Sequence, residues 1–213
     1  MVNYRNCRII DTVELRVDVV NIHLKDKPEW LVEKNPLGQV PVLEKDGELV
    51  RGSMNIIEYL EKHHPCPRLF PENWTQEQQL LEEYDKIIPS AIHKFFTEPD
   101  DVLPELWENA QNRMEPLETE LAKRATPFFG GEDAPGVLDL MLWPWMELAQ
   151  VAPKLLGADF NHLKFPKLGS WVRLMESQPF VYKTTVDYPT LLEYMRSYRC
   201  GNYQYDMGLS DHC

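Results

Sequence analysis

The chain has 213 residues, of which 43% are hydrophobic and 26% are charged. This composition suits a soluble protein with a real core, and a mean hydropathy of −0.43 leaves no apolar stretch that could span a membrane. The net charge of −12 repels phosphate backbones and anionic lipid, so we expect neither a nucleic acid nor a membrane as partner. The first residues lack the apolar block of a signal peptide, and a cytoplasmic location is expected.

The charge is unevenly distributed along the chain. Residues 1–70 carry 10 basic and 11 acidic side chains, whereas residues 71–213 carry 12 basic and 23 acidic ones. A small anionic ligand is therefore expected to bind in the first part.

The first part of the chain has the pattern of a small α/β unit. Residues 16–24 are rich in β-branched side chains and predict a strand, and residues 28–34 predict a short helix. Two apolar runs flank Asp46-Gly47, which is a strong hairpin signal. Ser53 is the predicted N-cap of a helix that ends before Pro65.

Three prolines, Pro65, Pro67 and Pro71, mark a linker, because none of them can continue a helix. We therefore divide the chain into a domain at 1–63, a linker at 64–74 and a second domain at 75–213. Helical periodicity dominates after the linker. The predicted helices cover stripes within 80–95 and 103–121, and the segments 137–151, 166–177 and 189–198.

Five segments in this order resemble the cytosolic glutathione transferases, and the omega class among them. They are residues 21–30 (NIHLKDKPEW), 35–44 (NPLGQVPVLE), 128–131 (FFGG), 142–145 (LWPW) and 206–209 (DMGL). The resemblance implies a thioredoxin-like N-terminal domain that binds glutathione and an all-helical C-terminal domain that supplies the second-substrate pocket. It also implies a homodimer.

The resemblance assigns glutathione contacts to particular residues. Val40 precedes Pro41, and a cis bond there would present the Val40 backbone to the cysteinyl part of the ligand; the alternative is an ordinary trans proline. Ser53 at a helix start could hold a carboxylate, or be a plain N-cap. Lys27, and after it Lys25, could meet the glycyl carboxylate, although lysines in such a turn are often only solvated.

Other candidate residues lie in the helical part. By analogy with the family, Trp143, Tyr188 and Tyr194 would line the second-substrate pocket, and the competing interpretation places these aromatic rings in the core. Asp139 matches the acid that closes a capping box at the family's core helix, a structural role. No metal site is expected, because the adjacent His63 and His64 would point about 100° apart on a helix.

One departure from the family lies at the start of the predicted second helix. The family has Glu before the serine, where it accepts the γ-glutamyl amine, and this chain has Gly52 with Arg51 before it. Losing a charge-assisted hydrogen bond costs roughly 1.5–3 kcal/mol. Arg51 would add to that cost unless its side chain points to the other face of the strand.

A second departure lies at the N-terminus. The family needs a strand and a helix that begins at Cys-Pro before the strand predicted at 16–24, and 15 residues are too few for both. We therefore expect an incomplete first βαβ unit. Cys7 is the candidate nucleophile, although Arg8 follows it. A helix starting at Cys7 would lower its thiol pKa; the alternative is an incidental thiol in a remodelled or wrongly chosen start.

These observations leave two functions open. The first is an omega-like glutathione-dependent thiol transferase or dehydroascorbate reductase that works through the Cys7 thiolate, with glutathione and a small electrophile, disulfide or dehydroascorbate as its partners. The second is a catalytically impaired protein of the same fold that binds ligands or another protein.

Overall fold

A computed structural model describes residues 17–23, 26–65, 68–71, 74–131, 133–160, 163–202 and 204. The N-terminal part of this structure is a small α/β unit, and the remainder is helical. The unit consists of helix α1 (Glu29–Lys34), strands β1 (Val42–Lys45) and β2 (Glu48–Arg51), and helix α2 (Ser53–His63). This is the predicted architecture of an α/β domain followed by an all-helical one.

The two strands form an antiparallel hairpin, as the Asp-Gly pair predicted. Val42 pairs with Arg51 and Lys45 with Glu48. The turn residues Asp46 and Gly47 have φ values of 52° and 83°. Two successive positive φ values match the twist of the flanking strands and suit these two residue types. The hairpin brings the end of β2 to the beginning of α2.

The predicted strand at 16–24 is wrong in the part that the structure describes. Residues 17–23 have no strand pairing and are mostly exposed. A strand is stabilised by ladder hydrogen bonds to a neighbour, and β1 and β2 are the strands of the described residues and pair with each other. The β-branched composition therefore indicated a β propensity, but no described strand pairs with this segment.

Helix α2 presents Ile56, Ile57 and Leu60 to the core, each at most 2% exposed. Its cap differs from the prediction by one residue. Gly52 is the N-cap, with φ 86°, and Ser53 is the first helical residue. A positive φ suits glycine, since it has no Cβ. The backbone at Gly52 thus turns directly from β2 into α2.

Six helices follow in the part of the chain that the structure describes, and they pack as one layered bundle in which α3 contacts α4, α5 and α8, and α4 contacts α6. They are α3 (Trp74–Thr97), α4 (Leu103–Arg124), α5 (Val137–Val151), α6 (Pro166–Glu176), α7 (Pro179–Thr184) and α8 (Tyr188–Arg199). A short 3₁₀ turn at Asp100–Val102 lies between α3 and α4, and another at Ala152–Leu156 lies between α5 and α6.

The sequence predicted all of these helices except α7, whose six residues are too few to show a period. Helix α8 begins one residue earlier than expected, because the Asp187 side chain caps it by accepting a 2.9 Å hydrogen bond from the Thr190 backbone N–H.

Helix α5 lies at the centre of the bundle and most of its residues are buried. Its N-cap is Gly136, and Asp139 accepts a 2.9 Å hydrogen bond from the Gly136 backbone N–H, which confirms the predicted capping role of Asp139. The buried face of α2 belongs to the same hydrophobic cluster as α5. The division into domains at 64–74 remains a prediction, although α2 ends at His63 and α3 begins at Trp74.

Among the described residues, no helix is both long and apolar enough to cross a membrane.

Candidate functional site

The α/β unit contains an open cavity of about 540 Å³. Ligand pockets for small molecules are typically about 300–1,000 Å³, so this cavity has room for a tripeptide-sized ligand. It lies where the loop after α1, the end of β2 and the start of α2 meet. The described residues that line it are Lys27, Asn35, Leu37, Gly38, Gln39, Val40, Pro41, Arg51, Gly52 and Ser53.

Four of the predicted glutathione-binding residues, Lys27, Val40, Pro41 and Ser53, line this one cavity. The Val40–Pro41 peptide bond is cis, as the comparison with the family predicted. The other two predicted residues of the site, Lys25 and Cys7, lie outside the described residues.

One wall of the cavity is a tight turn after α1. The Gly38 backbone N–H donates to the Asn35 carbonyl at 2.7 Å, and the Asn35 side-chain amide donates to the Gln39 carbonyl at 2.7 Å. Asn35 is 4% exposed, so these bonds hold the turn rigidly. Sequence reasoning did not single out these three residues, although their Asn-Pro-Leu-Gly segment has the composition of a turn.

Lys27 lies beside this turn. A Cβ added at Gly38 would be 3.6 Å from Lys27 Nζ, so the ammonium group approaches the Gly38 backbone closely. Gly38 also has φ 59°, a second reason for glycine at this position. Within the described part of the chain, Lys27 has no ion-pair or hydrogen-bond partner, and its charge is directed to the cavity and solvent.

The opposite wall contains Arg51 and Gly52. Arg51 Nε donates a 2.7 Å hydrogen bond to the Lys34 carbonyl, and the Gly52 backbone N–H donates to the Pro41 carbonyl at 3.1 Å. Arg51 is among the lining residues of the cavity, and its side chain reaches the carbonyl of the last residue of α1. The Lys34 ammonium forms an ion pair with Glu44.

Ser53 occupies the first position of α2 and is half-buried at the cavity wall. The first backbone N–H groups of a helix have no partners within the helix and carry the positive end of its dipole. No acidic residue belongs to the first turn of α2. This end of the cavity is therefore suited to an anionic group.

The residues predicted to line a second-substrate pocket have different surroundings. Trp143 is 1% exposed and packs against Trp171, with ring centroids 5.8 Å apart. Tyr194 is 9% exposed and packs against Phe96 at 6.0 Å. These positions correspond to the core interpretation. Tyr188 is 37% exposed, and of the three predicted side chains it alone presents substantial surface to a second substrate.

Tyr188 lies at the start of α8, and its hydroxyl donates a hydrogen bond to Glu176. Burial is the main reason that the pKa of Tyr188 is raised, and the Glu176 carboxylate raises it further. The phenol therefore stays protonated at physiological pH and acts as a hydrogen-bond donor.

The helical part also contains a small apolar cavity of about 20 Å³. It lies between α3, α4, α5 and α6. Its volume is near the roughly 10–15 Å³ that one water occupies, so as it stands it has room for little more than one water molecule. Its lining includes Ile92, Met114, Leu117, Phe129, Leu142 and Trp171.

The described residues include no group of three or more His, Cys, Asp or Glu side chains that could hold a metal ion. Cys200 is an exposed free thiol. Cys66 and Cys213 lie outside the residues that the structure describes.

Two family models match the chain. Residues 3–69 match the N-terminal domain of glutathione S-transferases, and residues 100–197 match their C-terminal domain.

Curated relatives match over most of the chain. It is 33% identical over 214 residues to pyrimidodiazepine synthase of Drosophila melanogaster. This alignment covers 95% of this chain and 84% of the relative. It is 33% identical over 198 residues to glutathione S-transferase omega-1 of Mus musculus, covering 91% of this chain and 80% of the relative.

Solved structures share the fold at lower identity. A tau class glutathione S-transferase from mango, Mangifera indica, superimposes with a TM-score of 0.82 at 19% identity over 91% of both chains. Dehydroascorbate reductase of Chlamydomonas reinhardtii superimposes with a TM-score of 0.71 at 20% identity over 91% of this chain and 88% of that one.

Proposed function

Because this chain belongs to the omega class of the glutathione S-transferase family, we propose that it is a glutathione-dependent thiol transferase whose cavity in the α/β unit binds glutathione. The observation that carries the proposal is the convergence of Lys27, Val40, Pro41 and Ser53 on one cavity of about 540 Å³.

Three parts of the ligand, its two carboxylates and its cysteinyl residue, are assigned to residues at or near the cavity. The γ-glutamyl carboxylate binds at Ser53 and the first N–H groups of α2, where the helix dipole favours an anion. The glycyl carboxylate binds at the Lys27 ammonium, with Lys25 as a second cation. The backbone of Val40 binds the cysteinyl residue by strand-like hydrogen bonds. This orientation directs the ligand thiol away from the two carboxylate subsites.

Cys7 is the proposed nucleophile. Its thiolate attacks the glutathionyl sulfur of a mixed disulfide, the substrate leaves as a thiolate that takes up a proton, and Cys7 is left in a disulfide with glutathione. A second glutathione thiolate attacks that disulfide, releases oxidised glutathione and restores Cys7. With dehydroascorbate, two glutathione molecules supply the two electrons and two protons that form ascorbate and oxidised glutathione.

The names of similar proteins support this class of reaction. They include glutathione S-transferase omega-1 and a dehydroascorbate reductase. We further propose that Tyr188 contacts the second substrate, that the protein is cytoplasmic, and that it is a homodimer. Light scattering coupled to gel filtration tests the last point: a mass near 25.0 kDa, that of one chain, would contradict the dimer.

The test of the mechanism is the mass of the intact protein after incubation with oxidised glutathione, followed by digestion to locate any adduct. We expect one glutathione adduct, at Cys7, which reduced glutathione removes. Cys7→Ser should abolish both the adduct and turnover while glutathione affinity is retained. Cys200→Ser is the matched control because Cys200 is exposed, and it should change neither. Full turnover by Cys7→Ser would overturn the assignment.

A catalytically impaired, ligand-binding protein is the second candidate function, and one observation favours it. Gly52 and Arg51 line the cavity where the family has a carboxylate for the γ-glutamyl amine. This candidate predicts no adduct at Cys7 and a glutathione dissociation constant in the millimolar range or weaker. A micromolar constant measured by calorimetry, together with the Cys7 adduct, would exclude it.

A further inference from the structure

The loop that follows α1 is tied at both of its ends to two consecutive residues, Arg51 and Gly52, where β2 ends and α2 begins. At one end Arg51 Nε donates a 2.7 Å hydrogen bond to the Lys34 carbonyl. At the other end the Gly52 backbone N–H donates to the Pro41 carbonyl at 3.1 Å. The second bond joins two backbone groups, whereas the first depends on one side chain. The position of the loop, and of Val40 within it, therefore depends on which residue stands at position 51.

Helix α1 is weakly anchored by burial alone. It has six residues, fewer than the about 12–15 that an isolated helix needs in water, and Leu31 is its one buried residue. Its last carbonyl, that of Lys34, has no acceptor role within the helix, and a cation at this end interacts favourably with the helix dipole. Arg51 supplies both a donor and a positive charge there. The end of α1 is therefore held largely from the hairpin.

The hairpin holds Lys34 by a second contact from the same face of the sheet. The Lys34 ammonium forms an ion pair with Glu44 on β1. The strand register places Glu44 and Arg51 on one face, because side chains alternate along a strand. Leu43 and Val50 lie on the other face and pack against the hydrophobic core. One face of the hairpin thus contacts the core, and the other contacts the end of α1.

The hydrogen bonds of the turn begin at the residue after Lys34. The Asn35 side-chain amide donates to the Gln39 carbonyl at 2.7 Å, and the Gly38 backbone N–H donates to the Asn35 carbonyl at 2.7 Å. Val40 follows Gln39 directly. Because Lys34 and Asn35 are consecutive, a shift of Lys34 moves this turn and the backbone of Val40 with it.

We propose that Arg51 and Glu44 are positioning residues of the glutathione site, which hold Lys34 and thereby keep the loop up to Pro41 in the conformation that binds the peptide. The inference rests on the proposed function for the role of Val40, and it extends that function to two side chains that act through Lys34. If the loop is displaced in part of the molecules, the apparent affinity falls with the fraction that remains competent to bind.

Two substitutions of Arg51 separate its hydrogen bond from its charge. The amide nitrogen of glutamine is as many bonds from Cα as Arg Nε, so Arg51→Gln retains a donor for the Lys34 carbonyl. Arg51→Met has a similar length and no donor, and both variants lose the charge. In isothermal titration calorimetry, we expect Arg51→Met to bind S-methylglutathione about threefold more weakly than Arg51→Gln, the scale of one neutral hydrogen bond.

Hydrogen–deuterium exchange of the full chain without ligand gives a readout that needs no bound peptide. The backbone N–H groups of Asn35 and Gly38 are hydrogen-bonded, so their exchange reports opening of the turn. We expect both to exchange about threefold faster in Arg51→Met than in Arg51→Gln, in proportion to the loss of affinity.

Glu44→Ala gives opposite expectations for positioning and for simple attraction. Removing Glu44 frees the Lys34 ammonium and makes the surroundings of the cavity more positive, which by itself strengthens binding of the net-anionic peptide. Loss of the contact loosens the end of α1, which weakens binding. We expect about twofold weaker binding of S-methylglutathione, a small effect because the ion pair is partly exposed.

Each outcome has one meaning. Weaker binding and faster exchange in Arg51→Met than in Arg51→Gln support the inference. Equal affinity, or equal exchange, in the two variants overturns the role of Arg51, because a loop held for binding must change both. Unchanged or tighter binding by Glu44→Ala overturns the role of Glu44. Failure of the wild type to bind S-methylglutathione at millimolar concentration overturns the proposed function, and with it the role of both residues in binding.

Discussion

The Trp171 indole N–H on α6 donates a 2.7 Å hydrogen bond to the Asp139 carboxylate on α5, and both side chains are buried. Asp139 also accepts hydrogen bonds from the backbone N–H groups of Phe129, Gly130 and Gly136. Burial raises the pKa of Asp139, and the four donors oppose that shift. One carboxylate thus joins the loop before α5, the first turn of α5 and the middle of α6.

Asp139→Asn tests this junction. Each carboxylate oxygen accepts two N–H groups, so either orientation of the amide places its NH₂ against two buried donors. We expect the free energy of unfolding to fall by about 3 kcal/mol, measured by urea denaturation. Asp133→Asn changes an exposed carboxylate in the same loop and should have an effect below about 0.5 kcal/mol.

Gly130→Ala should be among the most destabilising changes of one methyl group in this chain. A Cβ at Gly130 would lie 2.2 Å from the Gly136 backbone nitrogen and 2.5 Å from its Cα, and no side-chain rotation relieves an overlap with backbone. We expect a loss of about 3 kcal/mol or more in thermal or urea unfolding.

Gly131→Ala is the matched control for Gly130→Ala. A Cβ there meets nothing within 4 Å, but φ is 136°, so the cost is backbone strain alone, about 1–3 kcal/mol. If the two variants were equally stable, overlap between a Cβ and the Gly136 backbone would not explain why residue 130 is glycine.

Arg124 at the end of α4 joins three elements. Its guanidinium donates to Glu77 at 2.6 Å, to Glu120 at 2.9 Å and to the Phe129 carbonyl at 2.6 Å, and Glu77 is 6% exposed. Arg124→Ala leaves the Glu77 carboxylate buried and unpaired, which should cost about 3–5 kcal/mol.

Two further variants check that explanation. The double variant Glu77→Ala with Arg124→Ala also removes the Glu77 carboxylate that Arg124→Ala leaves unpaired. It should therefore be more stable than Arg124→Ala alone. Lys123→Ala removes a neighbouring cation whose side chain is 77% exposed, and it should cost less than about 1 kcal/mol. A double variant as unstable as the sum of the two single changes would exclude the unpaired-charge mechanism.

Much of this fold was predictable because its signals are local. The Asp46-Gly47 pair specifies the hairpin through backbone geometry, and the 3.6-residue period specifies the long helices through burial. The segment at 17–23 was not predictable in this way, since a strand needs a neighbour and β propensity does not supply one. Burial of Trp143 depends on its contact with Trp171, which follows 28 positions later on another helix.

The candidate site was predictable only in part. The resemblance to a family identified Lys27, Val40, Pro41 and Ser53 because they lie in continuous segments that match. The orientation of Arg51 depends on its bond to the Lys34 carbonyl, a contact across 17 residues that no local pattern encodes.

Tyr84 provides a prediction at alkaline pH. Burial, with smaller contributions from Glu83 and Glu120, raises its pKa from 10.0 to about 12. Between these two values the folded protein holds a proton that the unfolded chain has lost. The stability that Tyr84 contributes is therefore complete below pH 10 and declines as the pH rises towards 12.

The measurement is urea unfolding between pH 9 and pH 11.5, a range that spans the ordinary tyrosine pKa of about 10. Tyr84→Phe should lose stability less steeply than the wild type over this range. Tyr182→Phe changes a tyrosine that is 81% exposed, and its slope should equal that of the wild type. Identical slopes for all three proteins would mean that Tyr84 ionises freely in the folded state.

The two proposed carboxylate subsites predict different losses of affinity. Ser53→Ala removes a hydroxyl at the half-buried start of α2, so S-methylglutathione should bind about tenfold more weakly, as expected for one hydrogen bond to a charged group. Lys27→Gln removes an exposed cation, which solvent screens, and should cost about threefold. Calorimetry at two salt concentrations separates the effects: the Lys27→Gln loss should shrink at higher salt, whereas the Ser53→Ala loss should persist. Equal losses with equal salt dependence would mean that the peptide is attracted only by the overall positive potential of the cavity, and that neither residue contacts a carboxylate.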